Sequence, residues 1–234
     1  MRLSRGSKNS ADVFLIGFCV TALFLMLFQI LADQSVRVEA KEPVVSIVLF
    51  DSQKPPSAVA ANESAATVWG FKLETVFDFS LNTRENMGTD HAVNIRIDSA
   101  AIDLSLPITV YLPRDHLEKL KAHEFGHVAI CRRVYKEAAR GAGIAANKVV
   151  GRSYSGVGRT EKEACAAALA EADHDLSAYF RNHTTDVAES VSTTYDQLQA
   201  QEAAPPSVHV KDAFEIFEKS RSKAESRSQN VERI

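Results

Sequence analysis

Three regimes of hydrophobic patterning succeed one another along the chain. From Val13 to Ala32 (VFLIGFCVTALFLMLFQILA) twenty residues pass without a charge, enough for a helix to cross a hydrocarbon core of roughly 30 Å. A strand regime follows. Lys41 to Phe50 (KEPVVSIVLF) is a β-branched run that predicts a buried strand. Phe71, Leu73, Phe77, Phe79 and Leu81 then recur at odd positions, as do Val93, Ile95 and Ile97. Leu104, Leu106, Ile108, Val110 and Leu112 alternate in the same way. A period of two marks half-buried strands. Asp51 to Thr67, rich in Pro, Ser, Ala and Asn, and Asn82 to His91 read as loops. Pro107 lacks an N–H, so the last run is expected at a sheet edge or a bulge. Together these segments predict a small antiparallel sheet.

After Pro113 the period lengthens. Leu117, Leu120, Phe125, Val128, Ile130 and Val134 fall at helical spacing between Arg114 and Gly141, with Gly141-Ala142-Gly143 as the stop. Arg152 to Gly158 reads as a loop. Thr160 and Glu163 form a capping box that opens a second helix running to Phe180. Residues 184–200 fit a third helix less decisively. Pro205-Pro206 end the domain, and the tail beyond, with Phe214, Ile216 and Phe217 before a polar stretch, is expected to fray. The expected fold class is α+β, a small antiparallel sheet followed by two packed helices, with one N-terminal transmembrane helix. The divisions are a basic cytoplasmic segment (1–12), a signal anchor (13–32), a folded domain (41–200) and a polar tail (203–234). No internal repeat is present.

Composition adds limits. The chain's 234 residues suffice for one domain with appendages, and 24% charged against 45% hydrophobic residues describes a globular protein. A net charge of −3 gives no electrostatic case for nucleic acid. Arg2, Arg5 and Lys8 precede the apolar run against Asp12 alone, whereas Asp33, Arg37, Glu39 and Lys41 follow it. This bias predicts a single pass through the inner (plasma) membrane, with the domain periplasmic or extracellular. A cleavable signal peptide ending at Val38-Glu39-Ala40 is the alternative, but such peptides have apolar cores of ~7–15 residues. Cys19 reads as filler within that run. Cys131 and Cys165, outside the cytosol, fit either one disulfide or two buried thiols.

The candidate chemistry lies in the first helix, at His123-Glu124-Phe125-Gly126-His127. Positions i and i+4 share a helix face, so two imidazoles there can reach one zinc ion at roughly 2.0–2.1 Å. Glu124 sits one position round, where a carboxylate can take a proton from a water activated by the metal. The pattern predicts zinc-dependent hydrolysis of a peptide or protein substrate, with His123 and His127 as ligands and Glu124 as the base. Gly126 costs the helix about 1 kcal/mol relative to alanine and so marks a close approach. A catalytic zinc needs a third protein ligand. The candidates are Asp173 and His174 on the second helix, with Glu189 and Asp196 beyond it. His116 reads as a helix-start residue or a support to the ligands. Tyr154 and Tyr195 could stabilise an oxyanion, or could be buried with satisfied hydroxyls.

Ile130 and Arg133 stand where metzincins carry a glycine and a third histidine, so this is not a metzincin. Over about residues 68–200 the chain resembles a bacterial family of predicted secreted zinc-dependent proteases. Its members pair a β-rich half with an HExGH helix, a cysteine-containing helix and a later Tyr-Asp pair. Here those correspond to His123–His127, Cys165 and Tyr195-Asp196. The family's His-Gly after the Tyr-Asp pair is replaced by Gln201-Glu202. The resemblance implies a zincin-like fold and zinc-dependent peptide hydrolysis, without naming a substrate. Two other readings stand beside it, a non-enzymatic zincin-derived binding or scaffold domain and a polar helix face that matches the motif by chance.

Overall fold

The computed structural model describes residues 35–201 and 204–231. Seven strands and five helices follow in order among them. Strands β1 (Val36–Ala40), β2 (Val44–Phe50), β3 (Ala66–Trp69), β4 (Lys72–Met87), β5 (Asp90–Ser105) and β6 (Pro107–Pro113) come first. Helices α1 (Glu118–Lys136) and α2 (Ala138–Val149) lead into strand β7 (Ser153–Gly158). Helices α3 (Glu161–His183), α4 (Thr185–Gln201) and α5 (Pro206–Val231) complete the order.

The strands form two sheets, not the single antiparallel one expected. In the first, β5 pairs with β4 along its length, and with β7 and β1 on its other side. In the second the order is β2-β6-β3. The β1–β5 and β2–β6 pairs are parallel. Parallel pairing needs a long connection between the partners, which β2 to β4 supply for the first pair and β3 to β5 for the second. Leu106, 1% exposed, is where the chain passes from one sheet to the other.

Pro107 therefore does not mark an edge. It is the first residue of β6, the central strand of its sheet, where a missing N–H costs least. Its carbonyl still accepts from the Gly70 N–H at 3.2 Å. β2 and β3 are the edge strands, and β3 lies at the end of a stretch read as loop. Four residues are too few to display a period of two. Residues 82–87 also belong to a strand, the far half of β4. That half is exposed throughout, so its backbone ladder to β5 left no hydrophobic alternation in the sequence.

The first predicted helix is broken at Glu137, with φ −95° and ψ −6°, and Gly141-Ala142-Gly143 lies inside α2 instead of ending it. Small residues let α2 lie close to β1, where Val38 Cγ2 comes within 4.0 Å of a Cβ built on Gly143. Residues 153–158 form β7 and not a loop. Helix α3 crosses so close to β7 that a Cβ on Gly156 would collide with the Ala164 carbonyl. The expected cap forms, with Glu163 reaching back one residue beyond the N-cap. Thr160 Oγ1 accepts from the Glu163 N–H at 3.2 Å, and Glu163 Oε2 accepts from the Arg159 N–H at 2.9 Å.

Two apolar clusters hold these layers together. The larger joins both sheets to α1, α2 and α3 through residues such as Ile95, Leu104, Val110, Cys131, Ala142 and Leu176. The smaller joins α1, α4 and α5 through Ile130, Val134, Val191, Tyr195, Ala213 and Phe214. The tail is thus helical and packed, not frayed. The Arg133 guanidinium lies 3.9 Å over the Phe214 ring and pins α5 to α1.

The expected transmembrane helix needs correcting too. Among the described residues no helix is long and apolar enough to cross a membrane, and the span read at Val13 to Ala32 lies outside them. Cys131 and Cys165 are free, and burial pushes the Cys131 thiol up to about 12. The disulfide is absent, and of the two thiols Cys131 alone is buried, Cys165 being partly exposed.

Candidate metal centre

Helix α1 brings His123 and His127 to one face, with ring centroids 5.0 Å apart and planes at 88°. The third group arrives from α4. Asp196 Oδ1 lies 3.4 Å from His123 Nε2 and 3.1 Å from His127 Nε2. One ligand atom from each of the three lies within 4.8 Å of the others, so the group can hold a metal ion. His127 Nδ1 is buried without a hydrogen-bond partner. Two imidazoles and a carboxylate are the donor set of a three-ligand site with an open position.

The preceding residue does the positioning. Tyr195 is fully buried, its ring stacked on His123 at 5.2 Å and edge-on to His127 at 5.1 Å. Its hydroxyl donates to the His123 carbonyl at 3.0 Å. That hydroxyl is committed to the helix backbone, and burial, with Asp196 and Glu124 nearby, raises its pKa. A Cβ on Gly126 would collide with the same hydroxyl and ring carbon, which explains the glycine. Trp69 of β3 stacks on the outer side of His127 at 6.1 Å.

Glu124, in the same cleft as the ligand triad, is held from β3. Thr67 Oγ1 donates to Glu124 Oε2 at 2.7 Å, within reach also of the Glu124 carbonyl at 3.2 Å. Glu124 is 4% exposed. Burial raises its pKa most, against the Thr67 hydrogen bond, which lowers it. The His123 pKa is lowered, first by burial and then by His127, with Asp196 opposing. A neutral imidazole has its lone pair free for a metal, and a carboxyl of raised pKa is a stronger proton acceptor.

All four side chains open on one cleft of about 460 Å³, lined also by Glu63, Ser64, Ala65, Thr67 and Trp69 from β3 and the loop before it. Leu120 of α1 and Glu189, Ser192 and Thr193 of α4 line it too.

Of the third-ligand candidates, Asp196 joins the histidines and the rest do not. Asp173 and His174 are exposed on α3, whose buried stripe is Ala164, Ala168, Ala172, Leu176 and Phe180. That helix packs on β7, α2 and β5 and not on α1. Glu189 lines the cleft but stays outside the ligand group. His116 Nδ1 lies 2.9 Å from the Pro113 carbonyl, a helix-start contact. Tyr154 donates to Asp175 at 3.2 Å, away from the site. Sequence reasoning missed Thr67, Trp69, Ser192 and Glu63, two of them on β3 and one in the loop before it. No family model, no curated protein and no solved structure matches this chain.

Proposed function

We propose that this protein is a zinc-dependent peptidase in which His123, His127 and Asp196 hold the metal and Glu124 is the general base. One observation carries the reading. Glu124 is buried beside the three-ligand group, oriented by Thr67, and shares a cleft with an unpaired sheet edge. A purely structural metal site has no use for such a carboxylate. The donor set suits zinc. Bound there, zinc would polarise a carbonyl and make a coordinated water acidic near neutral pH.

The chain's own residues supply the rest. Thr67 occupies Glu124 Oε2, which fixes the carboxylate in one orientation and leaves its second oxygen for a proton. Glu124 would take that proton from the attacking water and return it to the leaving amine. The open side of β3 borders the cleft, and an extended substrate can add to such an edge through backbone hydrogen bonds.

Metal analysis and peptide hydrolysis on the purified full-length chain test this together. About one zinc per chain is expected, falling in His127→Ala and Asp196→Ala. Glu124→Gln should keep its zinc while hydrolysis drops roughly a hundredfold. Undiminished hydrolysis in Glu124→Gln, or a wild type that takes up no zinc at neutral pH, overturns the proposal.

A further inference from the structure

The walls of the metal cleft are acidic beyond what a metal site requires. Glu63, in the loop before β3, and Glu189, on α4, both line it and are both exposed. With Glu124 and Asp196 they make four carboxylates, and no lysine or arginine lines the cleft. A divalent ion would offset two of those charges and leave the other two uncompensated. Neither Glu63 nor Glu189 takes part in an ion pair among the described residues.

A second feature points to a ligand at the same place. Ser192, 4% exposed, lies on the cleft wall one helical turn before Asp196, and its hydroxyl has no hydrogen-bond partner. A buried hydroxyl left unpaired is costly, and a donor entering the cleft would satisfy it. Leu120 and Trp69 add apolar wall to the same cleft. That combination suits a side chain with an aliphatic stem and a cationic head.

We propose that the cleft selects peptides carrying lysine or arginine beside the bond to be cut, with Glu63 and Glu189 holding the cationic head. The inference rests on the peptidase reading and names its substrate class. Exposed carboxylates act on encounter and specificity more than on the chemical step, so the effect belongs mainly in KM.

The test uses three peptides differing only at that position, with lysine, norleucine or glutamate, on the full-length protein with rates normalised to bound zinc. The lysine peptide should exceed the norleucine peptide in kcat/KM by about five- to tenfold, the range two exposed charge pairs can supply. That ratio should shrink as ionic strength rises. In the Glu63→Gln/Glu189→Gln double variant, isosteric at exposed positions, it should fall toward one. Equal rates for the peptides in the wild type, or a ratio unchanged in the double variant, overturn the proposal. Binding of the same peptides to Glu124→Gln separates this inference from the one beneath it. If the wild type cuts no peptide but the lysine peptide binds through Glu63 and Glu189, the peptidase reading fails and charge selection stands. Cutting without charge preference gives the reverse.

Discussion

Gly126 shows how one absent methyl group organises the site. The Tyr195 ring lies where an alanine side chain would be, and Tyr195 carries Asp196 to the histidines as its chain neighbour. Tyr195 is fully buried and has nowhere to retreat. Alanine at 126 would gain about 1 kcal/mol of helix propensity, against an overpacking cost of about 1–3 kcal/mol. Gly126→Ala should therefore weaken zinc binding by about tenfold or more, as loss of support to a ligand commonly does. Gly141→Ala is the control, because its nearest neighbour is His183 Cβ at 3.9 Å, an ordinary contact. A competition titration with a chelator would read both. Equal affinities for wild type and Gly126→Ala would show that Tyr195 does not set the position of Asp196. The sequence carried a sign of this in a glycine within a helix, but nothing in it named the tyrosine as the neighbour.

Among the elements, α5 has the largest effect for the least visible signal. Its apolar positions face Ile130 and Val134 of α1 and Val191 and Tyr195 of α4, so it backs both helices that carry the candidate ligand group. A chain ending at Ala204 would uncover those side chains and lose Phe214 and Ala213. Each large apolar side chain returned to water costs about 1.5–3 kcal/mol, so several kcal/mol of stability should go, and zinc affinity with it. A chain ending at Lys223 removes only the last part of the helix and should melt close to the wild type. Thermal unfolding of both, with and without zinc, checks this. A chain ending at Ala204 that keeps wild-type Tm and zinc affinity would return residues 206–231 to the status of a passive tail.

For the molecule as a whole, burial biases the titration of its weak acids in one direction. Burial raises the pKa of Cys131, Tyr135, Tyr154 and Tyr195, in each case as the largest cause. An acid with a higher pKa folded than unfolded holds its proton more tightly in the folded state. Its contribution to stability is complete below the unfolded value and is lost as pH climbs through the folded one. Stability should thus begin to fall above pH 9, the ordinary thiol value, and go on falling through about 12, where Cys131 titrates when folded. Urea unfolding midpoints across that range would show it. Cys131→Ala, less stable at neutral pH because of its cavity, should lose the earliest part of the slope. A midpoint flat to pH 11 in the wild type would contradict the burial of these groups.

Local physics alone determined much of this protein. The helical spacing of His123 and His127, the Thr160–Glu163 cap and the separate alternations of Val93 to Ile97 and Leu104 to Leu112 are interactions between residues near in sequence, so their periods were legible. Asp196 was legible only as one of four candidates, because no local rule says which later helix packs against α1. The close fit of Tyr195 on Gly126 decided for α4, and the Ala164 and Ala168 face of α3 went to β7 instead. The edge strand β3 and the parallel pairs of β1 and β2 were likewise decided by tertiary structure. A short strand without alternation gains its hydrogen bonds from a partner distant in sequence, and only the assembled sheet selects that partner.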